Sequence, residues 1–478
     1  MKKQFLIGGS TAVFTLLFYD EYLGLNGALY ALLLLGATVF KFPQLLRQAV
    51  GPFLVAAVLL SSFSFAWLPD FASFFALAAS LVLLRIYAAN PALKWVFAPP
   101  IVLLNFFAFA YRMWQRIHWI EGDVKGPKQY ALKVFMYVVI PLVFISGFVA
   151  IYILSSAYLS QFLQGIDLNF NLWLLMGCIG LGLCFSFSYW DCWIPDSIKE
   201  LSAKWQSSFS HLDGSMGVER TSPIDANLER RSGEITLILL NGFLLVFLFF
   251  YNYEQFFETE STANLSAQTH QRVNSLILSI VMAIALLLFY FKGAFNFDPK
   301  AKRLKGLAQI WIVLNGIMVL SAAIKNMEYV WKLGLTSKRL GVFLFLILCA
   351  VGLFYSRRKI SRQLTNFYLV NRMVAAVFIA VLVCGMVNWN GVITRYNLAQ
   401  DKVDMEYLME ISVGSEGQLL HYIDAEQDEN PAMKSVEEVL TTRVNEERAQ
   451  SILSTGLYYR WIHFPDKKTE SATLFPND

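Results

Sequence analysis

Ile235-Thr236-Leu237-Ile238-Leu239-Leu240-Asn241-Gly242-Phe243-Leu244-Leu245-Val246-Phe247-Leu248-Phe249-Phe250-Tyr251-Asn252 is a run of 18 residues without one charge. Wound as an α-helix it is about 27 Å long, close to the ~30 Å of a bilayer's hydrocarbon. Arg230, Arg231 and Glu234 precede it, and Glu254, Glu258 and Glu260 follow it. A barrel strand would be shorter and would alternate polar with apolar residues, which this run does not do. Outward from it, comparable runs recur at about 5–19, 23–40, 50–68, 70–86, 93–111, 131–159, 168–190, 273–292, 307–325, 341–356 and 369–388. The pattern predicts an all-α fold, a polytopic transmembrane helix bundle of 11 or 12 spans.

Composition agrees. Hydrophobic residues make up 56% of the 478 and charged residues 15%, with a mean hydropathy of +0.49. A water-facing domain carries about 25% charged residues, so much of this surface faces lipid. The net charge of +4 is dispersed between apolar runs and excludes a nucleic-acid footprint. The partner that the sequence implies is the lipid bilayer. Cys178, Cys184, Cys192, Cys349 and Cys384 all lie in or beside apolar runs, without metal-ligand spacing, and predict no structural disulfide.

Basic loops set the orientation. Arg112, Arg116, Lys125 and Lys128 form one; Lys199, Lys204, Arg220, Arg230 and Arg231 a second; Lys300, Lys302, Arg303 and Lys305 a third; Arg357, Arg358, Lys359 and Arg362 a fourth. Their alternation with base-poor loops places all four in the cytoplasm. Lys2 and Lys3 place the N-terminus there too, yet five crossings would then put the Arg112 loop outside. One early span is therefore incomplete or a crossing is hidden, and 93–111, interrupted by Pro99-Pro100, is a suspect. Residues 1–390 form the membrane domain, with a flexible cytoplasmic loop at 191–234. Residues 391–478 are acid-rich, with apolar positions Met405, Leu408, Met409, Val436, Val439 and Leu440 at helical spacing. They predict a small helical extramembrane C-terminal segment on the periplasmic side. That segment and the 191–234 loop offer surfaces to protein partners.

No enzyme signature is present: no phosphate-binding loop, no HExxH, no nucleophile elbow. No cofactor or metal is implied. Polar residues within spans are the candidate functional positions, because each costs energy in lipid unless it faces protein or water. His270 and Asn274 open one span on a shared helical face. Asn315 and Asn326 lie 11 residues apart, near three turns, and share an inward face. Lys325 and Glu328 are spaced to pair, and Arg339 follows at the headgroups. Trp190 and Trp193 read as interfacial belt residues.

Three short stretches carry a resemblance. One is Ala308-Gln309-Ile310-Trp311 through Asn315, Ser321–Asn326, Tyr329 and Leu333-Gly334-Leu335-Thr336-Ser337-Lys338-Arg339. Another runs from Val387-Asn388-Trp389 through Ile393-Thr394-Arg395-Tyr396-Asn397-Leu398 to Asp404-Met405-Glu406-Tyr407-Leu408. The third is Phe18-Tyr19-Asp20-Glu21-Tyr22-Leu23-Gly24-Leu25. Together they resemble a family of uncharacterised bacterial multi-pass membrane proteins with a Tyr-Gly-Leu-Thr-x-x-Arg stretch between late helices; Leu333 stands where the tyrosine usually is. The resemblance implies a bacterial inner-membrane architecture and no activity. Gly334 permits a tight turn, Thr336 can cap the next helix, and Arg339 can reach the headgroups. Two functional classes remain, a non-enzymatic envelope sensor or scaffold, which is preferred, and a secondary transporter of a small solute. An intramembrane enzyme is third.

Overall fold

A computed structural model of the chain describes residues 3–109, 111–113, 171–209, 226–257, 279–291, 297–426 and 432–462. Among them the regular structure is helical. The first group is α1 (Lys3–Phe18), α2 (Leu25–Lys41), α3 (Gly51–Trp67), α4 (Phe71–Ala89), α5 (Ala98–Phe107) and α6 (Leu172–Trp190). A short α7 (Asp196–Lys204) leads to α8 (Ala226–Phe257) and α9 (Ser279–Tyr290). Then come α10 (Lys302–Leu333), α11 (Ser337–Ser361) and α12 (Asn366–Met386). The C-terminal helices are α13 (Trp389–Leu398), α14 (Met405–Glu410), α15 (Glu416–Glu426), α16 (Ala432–Ala449) and α17 (Leu457–Trp461).

Six helices among the described residues are long and apolar enough to cross a membrane: α4, α6, α8, α10, α11 and α12. Four of them, α4, α6, α11 and α12, start at short polar side chains that satisfy otherwise orphaned backbone N–H groups. Asp70 accepts from Ser73 N (2.7 Å) while Ser73 Oγ accepts from Asp70 N (3.1 Å). Asn171, Thr336 and Thr365 cap α6, α11 and α12 in the same way. On α8, Leu237, Leu244 and Leu248 are buried while Leu239, Phe243 and Phe249 point outward. A water-soluble helix would put polar residues on that outer face, so here the outer face meets lipid. The chain is a multi-pass integral membrane protein.

The helices pack in two groups. α8, α9, α10 and α11 share one apolar core, in which Trp311, Met318, Cys349 and Leu353 are buried. α2, α3 and α4 share another with α5 and α12, while α1 and α6 pair beside them. α12 touches α3 and α4 on one side and α11 on the other, and so joins the groups. Its contact with α4 is close because Gly385 lacks a side chain: a Cβ there would stand 2.4 Å from that of Ala76. Backbone approach at small residues is the usual source of helix association in lipid. Hydrogen bonds between helices add to it, from Tyr30 to Ser186 (3.0 Å) and from Thr38 to Tyr189 (2.8 Å).

The bundle has a basic end and a capped end. Lys3, Arg85, Arg112 and Asp191 meet at the basic end, as do Arg230 with Asp298 (3.5 Å) and Lys359 with the Phe291 carbonyl (2.7 Å). Thr365 Oγ1 donates to the Gln206 carbonyl (2.7 Å) and Asn366 Nδ2 to that of Leu288 (2.8 Å), which ties both groups together there. The turns at 19–24, 68–70 and 334–336 lie at the opposite end, under the C-terminal helices.

Segment 93–111 differs from the expectation of a crossing. α5 has 10 residues, about 15 Å of helix, and both of its flanks are held at the basic end. Lys94 N donates to Ser202 Oγ (3.2 Å) before it, and Arg112 Nη1 donates to the Asp191 carbonyl (2.5 Å) after it. Between them Asn105 exchanges two 2.8 Å hydrogen bonds with the backbone of Trp193. Phe106, Phe107 and Tyr111 are exposed on its other side, as on a helix lying along an interface. The four preceding helices therefore return the chain to the end where it began, and the Arg112 loop needs no hidden crossing. The expected loop at 191–234 contains α7 and the start of α8. The five thiols are free. The spans expected at 131–159 and at the start of 273–292, with His270 and Asn274, lie outside the described residues.

Candidate functional site

The C-terminal helices fold over their own small core. Leu408, Leu419, Leu420, Ile423 and Leu440 are buried together, with Met405, Met409 and Val436 against them. Val439, expected among these, is exposed, because Leu440 and Val444 take the inward positions of α16. A folded core gives this cap a fixed lower surface, and that surface rests on three turns of the membrane bundle.

The first is the turn between α1 and α2. Glu21 accepts hydrogen bonds from the hydroxyls of Ser451 and Ser454. Tyr22 N donates to Ser454 Oγ (2.7 Å) and Asn26 N to the Leu453 carbonyl (3.1 Å). Gly24 lies directly beneath, where a Cβ would stand 2.3 Å from the backbone carbon of Ser454. The second is the turn between α3 and α4. Leu68 packs with Val444 and Tyr459, and Trp67 meets the ring of Tyr458 at 6.4 Å between centroids. Asn388, entering α13, donates to the Gly414 carbonyl (2.6 Å), and Gly414 sits against Leu68.

The third is the turn between α10 and α11, the Gly-Leu-Thr-x-x-Arg stretch. Gly334 has φ +79° and ψ 171°, a conformation open essentially to glycine alone, and it ends α10. Arg339 N donates to Thr336 Oγ1 (3.3 Å), starting α11, and the Arg339 guanidinium reaches back to the carbonyls of Leu333 (3.0 Å) and Gly334 (2.5 Å). Arg339 is thus a staple of its own turn. Asn397 of the cap meets both polar groups of Leu335, accepting from its N–H (2.7 Å) and donating to its carbonyl (2.8 Å). Tyr407 accepts from Ser337 N (2.9 Å) beside it. The 18–25 stretch, the 387–408 stretch and the 333–339 end of the third therefore lie at the surface between cap and bundle.

At the centre of the cap lies a buried carboxyl, Glu416. Its Oε2 accepts from Gly414 N (2.8 Å) and its Oε1 from the Tyr459 hydroxyl (3.1 Å). Burial pushes the Glu416 pKa above the ordinary range, against the pull of those hydrogen bonds and of nearby Arg443. Burial raises Tyr459 and Tyr458 as well, so both remain neutral hydroxyls.

The other expected positions lie within α10. Asn315 is buried, and its Nδ2 donates to the Trp311 carbonyl one turn back (2.8 Å). Asn326 is buried too and crosses to α11, donating to the Arg339 carbonyl (3.0 Å). Lys325 pairs with Glu328 at 3.3 Å, and Lys332 reaches the same carboxylate. The structure brings Asn326 to Arg339 and Lys325 to Glu328, and leaves Asn315 about three turns deeper. A groove of about 620 Å³ opens between α10 and α11 at the basic end, walled by Lys305, Gln309, Arg357 and Gln363; neither asparagine lines it. Trp190, read as a belt residue, is fully buried, while Trp193 is exposed. Missed from the sequence were Glu416, which resembles any solvated acid in a polar segment, and Glu21, whose partners lie 430 and 433 residues away.

A family model described as Domain of unknown function (DUF4153) matches residues 50–420, from the start of α3 into α15. No curated protein and no solved structure matches the chain.

Proposed function

The chain belongs to this DUF4153 family, and we propose that it is a non-enzymatic sensor or scaffold of a bacterial inner membrane, with its cap in the periplasm. The observation that carries this reading is the cap's hold on three separate turns, between α1 and α2, α3 and α4, and α10 and α11. A change in the cap alters the relative positions of both helix groups, and a change in the groups is felt by the cap. The 191–205 stretch with α7 presents the other polar surface, at the basic end.

The orientation rests on charge: Lys3, Arg85, Arg112, Arg230 and Lys359 gather at one end and the acid-rich cap at the other. Lys3 and the cap lie at opposite ends, so an odd number of crossings separates them. An alkaline phosphatase fused at the C-terminus should be active and a fluorescent protein there dark. The reverse result removes the orientation and the periplasmic cap with it.

A second reading, a solute path, is favoured by polar atoms between α8 and α10. Asn315 Oδ1, Asn241 Oδ1 and Trp311 Nε1 are buried there without a hydrogen-bond partner. Asn315→Leu separates the two. As a structural residue, Asn315 makes one hydrogen bond, to the Trp311 carbonyl of its own helix, and contributes no more than about 1 kcal/mol. The leucine variant should then accumulate normally and complement a deletion strain. Normal abundance with no complementation would move the assignment to a transporter.

A further inference from the structure

Four cationic side chains converge on Trp190-Asp191 from four segments distant in sequence. Asp191 is engaged by two of them: Lys3 Nζ lies 3.2 Å from Oδ1 and Arg112 Nη1 3.8 Å from Oδ2. Among the described residues the other two have no carboxylate partner. Arg85, in the last turns of α4, is 4% exposed. It donates from Nη2 to the Trp190 carbonyl (3.0 Å), while its Nε and Nη1 are buried without a hydrogen-bond partner. Lys41 Nζ, at the end of α2, is buried and likewise without one. Both charges stand against the Phe42 ring, Arg85 Cζ at 5.2 Å and Lys41 Nζ at 5.5 Å from its centroid, and Lys41 is 5.3 Å from that of Trp190.

Contact with an aromatic face offsets only part of what it costs to bury an ion. Two neighbouring cations also repel one another. What they lack is an anion with several acceptor atoms, able to take two N–H donors from one guanidinium and one from an ammonium. A tetrahedral oxyanion has that shape. Lys3, paired with Asp191 in the same cluster, is half exposed at the basic end, the level of lipid headgroups.

We propose that Arg85 and Lys41 form a binding site for a phosphate-class oxyanion, with Lys3 at its entrance. Two sources supply that chemistry, the phosphate of an anionic lipid headgroup and free inorganic phosphate.

The test uses the full chain purified in a neutral detergent. Its thermal unfolding midpoint is measured with inorganic phosphate, with short-chain phosphatidic acid, and with diacylglycerol and chloride of equal ionic strength as controls. The midpoint should rise with at least one phosphate ligand and with neither control. A rise with the lipid alone assigns a headgroup, and a rise with both assigns a site open to the free ion. Arg85→Met and Lys41→Met should each weaken the apparent affinity by about tenfold or more. Without ligand, Arg85→Met should be no less stable than the parent, because it removes an uncompensated buried charge. Should that variant fail to accumulate, Lys41→Met and the parent's own ligand response carry the test. No rise with either phosphate ligand overturns the proposal. So does a rise that both variants retain in full, which would be an adventitious ion elsewhere on the surface.

Discussion

Glu416 carries an acid into a site that favours its neutral form. Burial is the largest influence on it, and the groups facing it are the Gly414 N–H, the hydroxyls of Tyr459 and Tyr458, and the Arg443 guanidinium. Its pKa in the docked cap is raised, while in an unfolded cap it returns to about 4.3. The unfolded state therefore holds fewer protons over the interval between the two values, and stability falls as pH rises through that interval. The stabilising effect of the protonated form is complete below the unfolded value and lost above the folded one. Thermal unfolding of the cap followed from about pH 4 to pH 8 should show this decline. Glu416→Gln, uncharged throughout, should flatten the profile and keep both hydrogen-bonding partners. A parent profile already flat, or a glutamine variant with the same slope, would show that the carboxyl is ionised at no cost in the folded cap. None of this is legible from the residue itself: Gly414-Ser415-Glu416-Gly417 reads as an exposed acid in a turn.

Elements were more legible where length decided them. A run such as 235–252 can do little else than cross a bilayer, and α8 spans it. Segment 93–111 is also apolar but its α5 has 10 residues: Pro99 and Pro100 open it, and Asn105 and Arg112 turn toward carbonyls on the 191–193 stretch. Sequence spacing shows the prolines; it does not show the carbonyls. The turn between α10 and α11 was readable in its local chemistry, Gly334 for the turn and Thr336 for the cap. Its partner was not, because Asn397 lies 62 residues from Leu335. That pairing makes a coupled prediction. Gly334→Ala forces a Cβ to within 2.8 Å of Asn397 Oδ1 at a positive φ, so it should destabilise by backbone strain and by collision. Asn397→Ala removes the collision and leaves both polar groups of Leu335 unmet, at about 1–3 kcal/mol for each buried group. The double variant should therefore be less destabilised than the sum of the singles, with a coupling of at least roughly 0.5 kcal/mol. Strict additivity in thermal or denaturant unfolding would mean the two residues do not meet.

At the scale of the whole molecule, the cap and the first turn of the chain are joined across more than 400 residues. The join is made largely by backbone and by one carboxylate: Glu21 receives two serine hydroxyls, and the N–H groups of Tyr22 and Asn26 reach Ser454 and Leu453. Gly24 permits the approach, since any Cβ there collides with the backbone at Ser454 and Thr455, at 2.3 to 2.7 Å. A rigid backbone cannot yield as a side-chain tip does, so Gly24→Val should push the 451–455 loop off the turn at a cost of about 1–3 kcal/mol, typical of overpacking. The cap's other two attachments, at Leu68 and at Leu335, are untouched by that change. The expected result is a bundle inserted at normal abundance, with the loop near Ser451 cleaved several times faster by protease added from the cap's side. Gly36→Val is the matched control, because nothing lies within 4 Å of a Cβ built at Gly36 on α2. Equal protease resistance in both variants would mean that the cap does not rest on the first turn. A scaffold built on contact with all three turns would then lose the one that ties the cap to the N-terminal helices.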